Sequence, residues 1–330
     1  MSNDASVPVA RKGSLVASSL EQSRADSVNF AEAARSANTR RAYDADWRAF
    51  VRWCDAHALR AAPADGATVA LYLTAHAGAV SVATLARRFA AIRAAHEALA
   101  LSPPAGRELG YVWRGIRRTM GRPPRAKRAL TTDDLRALLG AMPDNAIGVR
   151  DRALLLVGFA AALRRSELSA IHVDGDADAP IRLRIVSAGL QICLDRSKAD
   201  QEGRGASVAV PRGLSAGTCP VTALEAWLAL ARIDKGPVFR RVSTTGRVGA
   251  AALSPQMIAH IVKRAATRAG FDPACISGHP LRAGLATSAA GDAPPDLIMR
   301  QMRHARFDTT RRYIRDADIF ARNAVSFTGL

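Results

Sequence analysis

Residues 278–315 read GHPLRAGLATSAAGDAPPDLIMRQMRHARFDTTRRYIR, and the fold is legible from this stretch outward. Pro280 suits the first position of a helix, which puts His279 near the N-cap and Arg282 in the first turn. Free backbone N–H groups and the helix dipole favour an anion there. Three residues apart on one helical face, His279 and Arg282 can grip one phosphate together. A second helix follows over Asp296–Arg303 and ends at Arg303-His304. Asp308, or Thr309 beside it, then caps a helix over Thr309–Arg315. Tyr313 lies on it, nine residues past His304, with Arg311, Arg312 and Arg315 as neighbours. A tyrosine crowded by arginines has its phenolate favoured, as a phenolic nucleophile requires. Each piece alone has an ordinary reading: H-P-L-R is a common helix start, and a lone tyrosine near a helix end is usually core.

Upstream, Ala162-Leu163-Arg164-Arg165-Ser166-Glu167-Leu168 closes a helix read over Ala153 to Leu163, apolar on nearly all faces. An arginine emerging from such a helix needs an anion or an acid partner, because unpaired buried charge is costly. Glu167 is available as that partner. Residues 181–195 and 207–210 read as strands, and the polar run RSKADQEGRGA between them makes a hairpin with Lys198 at its turn. Thr131-Thr-Asp-Asp134 caps a helix carrying Leu135, Leu138 and Leu139. Further helices read over Val221–Ala231 and Pro255–Ala269. This half is mostly helical with one small sheet.

The N-terminal half is helical past a leading arm. Residues 1–35, rich in Ser, Ala and Asn, read as a mobile arm. Over 36–120 four amphipathic helices follow. Asn38 or Thr39 caps the first, which turns Tyr43, Trp47, Phe50, Val51 and Cys54 inward and leaves Arg41 and Arg48 outside. The second starts after Asp65-Gly66. The third starts near Ser81, with Leu85, Phe89, Ile92 and Leu99 inward and Arg87, Arg88 and Arg93 as its charges. The fourth carries Leu109, Val112, Trp113, Ile116 and Met120. Residues 121–129, with two prolines and Lys127 and Arg128, read as a basic linker to a second domain over 130–330.

The chain has 330 residues and a formal net charge of +18, so a polyanion is the first partner to consider. Only five of its 47 basic residues are lysines; a lysine retained against that arginine bias, such as Lys198, is the more informative residue. No run of about 18 uncharged apolar residues is present to span a membrane. The four cysteines are scattered and form no C-x-x-C pair, which argues against structural zinc and a disulfide framework and fits a reducing cytoplasm. No carboxylate cluster suggests a bound metal.

Taken together, Arg164 in A-L-R-R-S-E-L, Lys198 on a hairpin, H-P-L-R at 279–282, His304 and Tyr313 resemble the tyrosine recombinase (phage integrase) family over about residues 36–330, its Cre-like or Xer-like members above all. The resemblance implies a mainly α fold with a small β-sheet in the catalytic domain, arranged as a two-domain C-shaped clamp on duplex DNA. It implies that Arg164 and Arg282 hold the scissile phosphate, that His279 accepts or donates a proton beside them, and that His304 donates a hydrogen bond. Lys198 would protonate the leaving 5′-oxygen, Tyr313 would attack phosphorus, and Glu167 would support Arg164. No cofactor, metal or ATP is implied. The partners implied are double-stranded DNA carrying a recombination site and further copies of the chain, four on two sites, with the tail 316–330 exchanged between them. Ile319, Phe320, Ala324 and Phe327 give that tail an apolar stripe. Arg41, Arg48, Arg87, Arg88, Lys127 and Arg128 are expected phosphate contacts, and a cytoplasmic, nucleoid-associated location fits. The sequence departs from many members at Ala283, where they carry a second histidine. Three rivals remain: type IB topoisomerase-like relaxation, a non-catalytic DNA-binding protein keeping the fold, and a helix-turn-helix regulator.

Overall fold

The computed structural model describes residues 22–23, 26–27, 35–121, 128–173, 175–176, 178–195, 205–276, 279–317, 325 and 328. The arm 1–35, most of the linker with Lys127, the hairpin turn with Lys198, and the apolar stripe of the tail therefore lie outside the described residues or nearly so. The chain divides into two units, Met1–Pro124 and Arg125–Leu330.

The first unit is a four-helix bundle: α1 (Ala37–Ala56), α2 (Gly66–Ala75), α3 (Val82–Ala98) and α4 (Arg107–Met120). Ser36, rather than Asn38 or Thr39, caps α1, because its hydroxyl accepts from the Thr39 N–H. Asp65 and Ser81 cap α2 and α3 in the same way. Phe50, Tyr72, Leu73, Leu85 and Ile92 fill the core, with Phe50 edge-on to Tyr72 at 5.0 Å. Leu99, expected inward, is the α3 C-cap and is exposed, since the helix ends just before it.

The second unit opens with α5 (Thr132–Gly140) under a capping box of Thr131 and Asp134. α6 (Ala146–Ala160) starts at the Asn145 cap, seven residues earlier than its apolar run suggests, and ends three residues sooner. Ala153 to Val157 are all buried, so α6 is the central helix of this core. The short α7 (Arg165–Ser169) leads into β1 (Ile171–Val173), β2 (Ile181–Val186), β3 (Gly189–Leu194) and β4 (Ala206–Pro211). The stretch 181–195 is thus two strands folded back at Ser187-Ala188, not one. With β5 (Gly236–Pro237) they form a sheet in the order β4-β3-β2-β1-β5, parallel only between β1 and β2. Leu194 pairs with Ala206 at the end of the β3–β4 ladder. A two-stranded ribbon, β6 (Arg240–Val242) with β7 (Val248–Ala252), was not anticipated; it is too short and Ala-rich to alternate visibly.

Of the helices that complete this unit, four start on a proline: α8 (Pro220–Ala231), α9 (Pro255–Arg268), α10 (Pro280–Ala289) and α11 (Pro295–Met302). The fixed φ of proline and its missing N–H suit that first position. The last helix, α12 (Phe307–Ala317), begins before Asp308, which lies in its first turn instead of capping it.

The end of the expected linker belongs to this second unit. The Arg128 N–H donates to the Cys275 carbonyl, Leu130 N–H to Pro280, and Thr132 N–H to the Ser288 hydroxyl. This strap lies so close to α10 that a Cβ on Gly284 would meet the Leu130 carbonyl at 1.7 Å. Gly284→Ala should therefore lower unfolding stability by about 1–3 kcal/mol. Gly140→Ala, where an added Cβ meets nothing within 4 Å, should be neutral or stabilising by up to ~1 kcal/mol. Thermal melts of the two variants give the comparison.

Candidate active site

The site is built on the C-terminus of α6. Ala162 takes a left-handed backbone (φ 49°). The N–H groups of Ala162 and Leu163 then return to Phe159 and Gly158, a Schellman closure. Three carbonyls past that closure point outward without backbone partners, and the helix dipole makes them attractive to cations. Side chains from two distant segments take them. Gln301 Nε2 donates to Ala160 at 2.7 Å, Arg303 Nη1 to Ala161 at 3.0 Å, and Arg282 Nη1 to Ala162 at 2.6 Å.

α11 ends in the same way. Arg303 has φ 52°, and the Arg303 and His304 N–H groups donate to Arg300 and Met299. A left-handed backbone costs a non-glycine residue roughly 1–2 kcal/mol. The Met302 carbonyl at this end accepts from Arg282 Nη2. Arg282, on the first turn of α10, thus bonds to the ends of α6 and α11 at once and is 5% exposed.

Arg164 leaves this same α6 end and caps α7. Glu167 reaches back to it twice: Oε2 accepts the Arg164 backbone N–H at 2.8 Å, and Oε1 pairs with Nη1 at 2.6 Å. Glu167 Oε2 also pairs with Arg303 Nη2 at 2.7 Å. Burial pushes the Glu167 carboxyl up, but Arg303, the backbone bond and Arg164 outweigh it, so its pKa falls below the ordinary value. It stays ionised between its two arginines.

His304 and Tyr313 lie against this group. Their rings are near-parallel with centroids 6.0 Å apart. His304 Nδ1 is 2.9 Å from the hydroxyl of Thr310, which is fully buried. Tyr313 is partly buried against Ala162, Ala286, Ile298 and Met302. Its phenolate would favour the charge of Arg282. Arg282, brought from another helix, is thus one cation that acts on it; of the chain neighbours, Arg311 is exposed, and the side chains of Arg312 and Arg315 lie outside the described residues. Burial first, then Arg164 and Arg303, lower the Arg282 pKa to about 10, which leaves it charged at neutral pH. Burial and then Arg282, Arg164 and Arg303 lower His304 to about 4, so its ring is neutral there.

The structure thus brings together Arg164, Glu167, Arg282, His304 and Tyr313. His279 occupies the α10 N-cap position, exposed, one turn before Arg282. Lys198 and Lys127 lie outside the described residues. In the first unit Arg41 and Arg48 are exposed, Arg41 beside Asn38. Arg87 is held by Asp46 at 2.7 Å, and Arg88 is turned inward toward Asp46 with its side chain 19% exposed. Arg128 is committed to Asp134 and to the face of Phe271. Arg88 is thus drawn inward where a surface contact was expected, while Arg128 holds its acid partner with its side chain still 53% exposed. Sequence reasoning gave no role to Arg303 or Gln301. An arginine at a helix C-terminus is ordinary, and only the tertiary structure shows these two side chains reaching the end of α6.

A buried cluster of arginines beside a tyrosine, on a mixed helical unit that follows a helical bundle, defines a class of DNA strand-exchange enzyme: the chain belongs to the phage integrase family, whose description matches residues 128–319. The family's N-terminal SAM-like domain matches residues 30–101. Among its relatives, the integrase/recombinase xerD homolog of Selenomonas ruminantium is 35% identical over 93% of this chain and 86% of that one. Tyrosine recombinase XerD of Xanthomonas axonopodis pv. citri is 33% identical over 56% of this chain and 57% of that one. These relatives make it a site-specific tyrosine recombinase. The fold is similar to lambda integrase bound to DNA, with 14% identity and TM-score 0.58 over 90% of this chain and 94% of that one. It is likewise similar to the Tn1549 transposon integrase in complex with transposon right end DNA, with 14% identity and TM-score 0.56 over 84% and 89%.

The pocket's charge sets a pH test. A solvated histidine takes its proton near pH 6.5; His304 should hold out to about pH 4. The unfolded chain binds that proton first, so this group lowers stability as pH falls from about 6.5 toward 4. The ring carbon–proton NMR signal of His304 should titrate near pH 4, and a midpoint near 6.5 would contradict the buried, cation-flanked placement.

Proposed function

We propose that this chain cuts and rejoins duplex DNA at a specific site through a covalent 3′-phosphotyrosine link at Tyr313, without metal or ATP. The observation that carries the reading is the position of Tyr313, stacked on His304 within electrostatic reach of the twice-anchored Arg282. In this scheme the Tyr313 oxygen bonds to phosphorus as the bond to the 5′-oxygen breaks. Arg164 and Arg282 hold the two non-bridging oxygens and neutralise charge that builds in the five-coordinate transition state. His279 takes or shares the phenolic proton, and Lys198 protonates the departing 5′-oxygen, which leaves as a hydroxyl. Arginine, with pKa above 12, is a poor donor for that last step, which favours Lys198 over Arg196 and Arg204.

Neutral His304 suits a hydrogen-bond donor. Its Nδ1 is held by Thr310, which leaves Nε2 for a phosphate oxygen. One phosphodiester is exchanged for another, so attack by the 5′-hydroxyl of a second strand reverses the chemistry and joins new partners. Arg41, Arg48 and Arg87 are exposed candidates for phosphate contacts in the helical bundle, Arg87 with Asp46 already beside it. Duplex DNA with a recombination site is the substrate, and assembly of four copies on two sites follows the lambda integrase tetramer bound to a Holliday junction, a structural neighbour of this fold.

The test begins with a duplex recovered from a random-sequence pool by binding to the full chain. A nicked form of that duplex should leave a protein–DNA adduct that survives denaturation. Tyr313→Phe should abolish the adduct while DNA binding persists, and EDTA should leave the wild-type yield unchanged. An adduct with Tyr313→Phe would move the nucleophile elsewhere; loss of cleavage in EDTA would overturn the metal-free scheme.

A further inference from the structure

Arg303 is a tightly held cation beside the site that this scheme leaves without a task. Its backbone is left-handed. Its side chain is only 7% exposed. Its guanidinium meets the carbonyls of Ala161, Ala162 and Gln301 and one oxygen of Glu167. Its Nε is buried with no hydrogen-bond partner. Arg232 offers a comparison. It ends α8 with the same φ of 52°, yet it is exposed. A left-handed arginine at a helix end therefore does not have to bury its charge; at Arg303 the contacts made by the side chain hold it inside.

We propose that Arg303 is a positioning residue of the phosphate pocket: it clamps Glu167 through the oxygen not paired with the Arg164 guanidinium and so fixes the direction in which Arg164 meets the phosphate. The inference rests on the reading of Arg164 and Arg282 as phosphate holders. Glu167 is the only acid in contact with Arg164 among the described residues, and rotation of its carboxylate would swing Arg164 with it. Arg303 blocks that rotation while its other nitrogen is tied to the end of α6. It also bonds to the Ala162 carbonyl that Arg282 uses, at 3.3 Å, so one side chain braces both phosphate-holding arginines.

There is an electrostatic consequence. Arg164, Arg282 and Arg303 against one Glu167 leave two positive charges for a phosphodiester that carries one negative charge and gains another in its transition state. Without Arg303 one remains. An anchor of this kind acts on the rate of cleavage more than on DNA affinity, because most of the affinity comes from phosphate contacts spread along the duplex.

The measurement is single-turnover adduct formation on the selected nicked duplex, with DNA affinity and thermal melting recorded beside it. Arg303→Gly fits the left-handed backbone without strain, and Arg303→Met keeps much of the buried volume. Both should slow the adduct by roughly 10–100-fold, as loss of an outer partner does at other sites, while affinity stays within about threefold. Arg303→Lys should recover part of the rate. The double variant Glu167→Gln with Arg303→Met should be no slower than the slower single variant, because the two residues act as one unit. Arg303→Gly within about threefold of the wild-type rate would overturn the proposal, and so would full recovery of either variant's rate on cooling, which marks a role in stability alone. If the wild-type chain forms no adduct, the phosphotyrosine reading itself fails and this inference falls with it; an active wild type with indifferent Arg303 variants sinks the inference only.

Discussion

Three guanidinium groups share a small space at the end of α6, and the site depends on how they are kept from repelling one another. The protein meets this with one carboxylate, Glu167, and a set of backbone carbonyls freed by the Schellman ends of α6 and α11. Both helices end in left-handed residues that are not glycine, Ala162 and Arg303. The turn that strains each backbone also exposes the oxygens that the arginines need. Burial makes these bonds strong, since removing one partner would leave a charge without water or an acceptor. The arginines are thereby held in place by the protein's own groups.

Much of this was legible in the order of residues. The proline at position 280 announced a helix start, and with it the placement of His279 and Arg282. The run Leu163-Arg164-Arg165-Ser166-Glu167 carried its ion pair in plain view, three residues apart. Other features were hidden because they are products of tertiary contact. No local pattern says that the carbonyls of Ala160 to Ala162 will be claimed by Gln301, Arg282 and Arg303 from more than 100 residues away. Nor does exposure follow from charge. Arg88 reads as a surface cation on an amphipathic helix, yet Asp46, itself 6% exposed, draws it inward. Arg282, which acts on Tyr313 from across the fold, is a cation that no reading of the tyrosine's chain neighbours supplies.

His304 shows how the same cations tune a neutral partner. Buried beside positive charge, its imidazole resists protonation, so it can take part as a neutral donor oriented by Thr310. A protonated ring would add to the repulsion that Glu167 only partly offsets. Tyr313 belongs to the same balance. Its phenolate would be drawn toward Arg282, and the stacked ring of His304 limits how far the aromatic side chain can turn.

The strap from Arg128 to Thr132 links this pocket to the rest of the chain. Its backbone is stitched to Cys275, Pro280 and Ser288 and presses on Gly284 without room for a methyl group. Those anchoring points bracket the helix that bears Arg282. The segment that opens the second unit is therefore fastened to the helix that bears Arg282, and not to some neutral part of the surface. A shift of that segment would load α10 directly and, through a few hydrogen bonds, disturb the aim of one guanidinium.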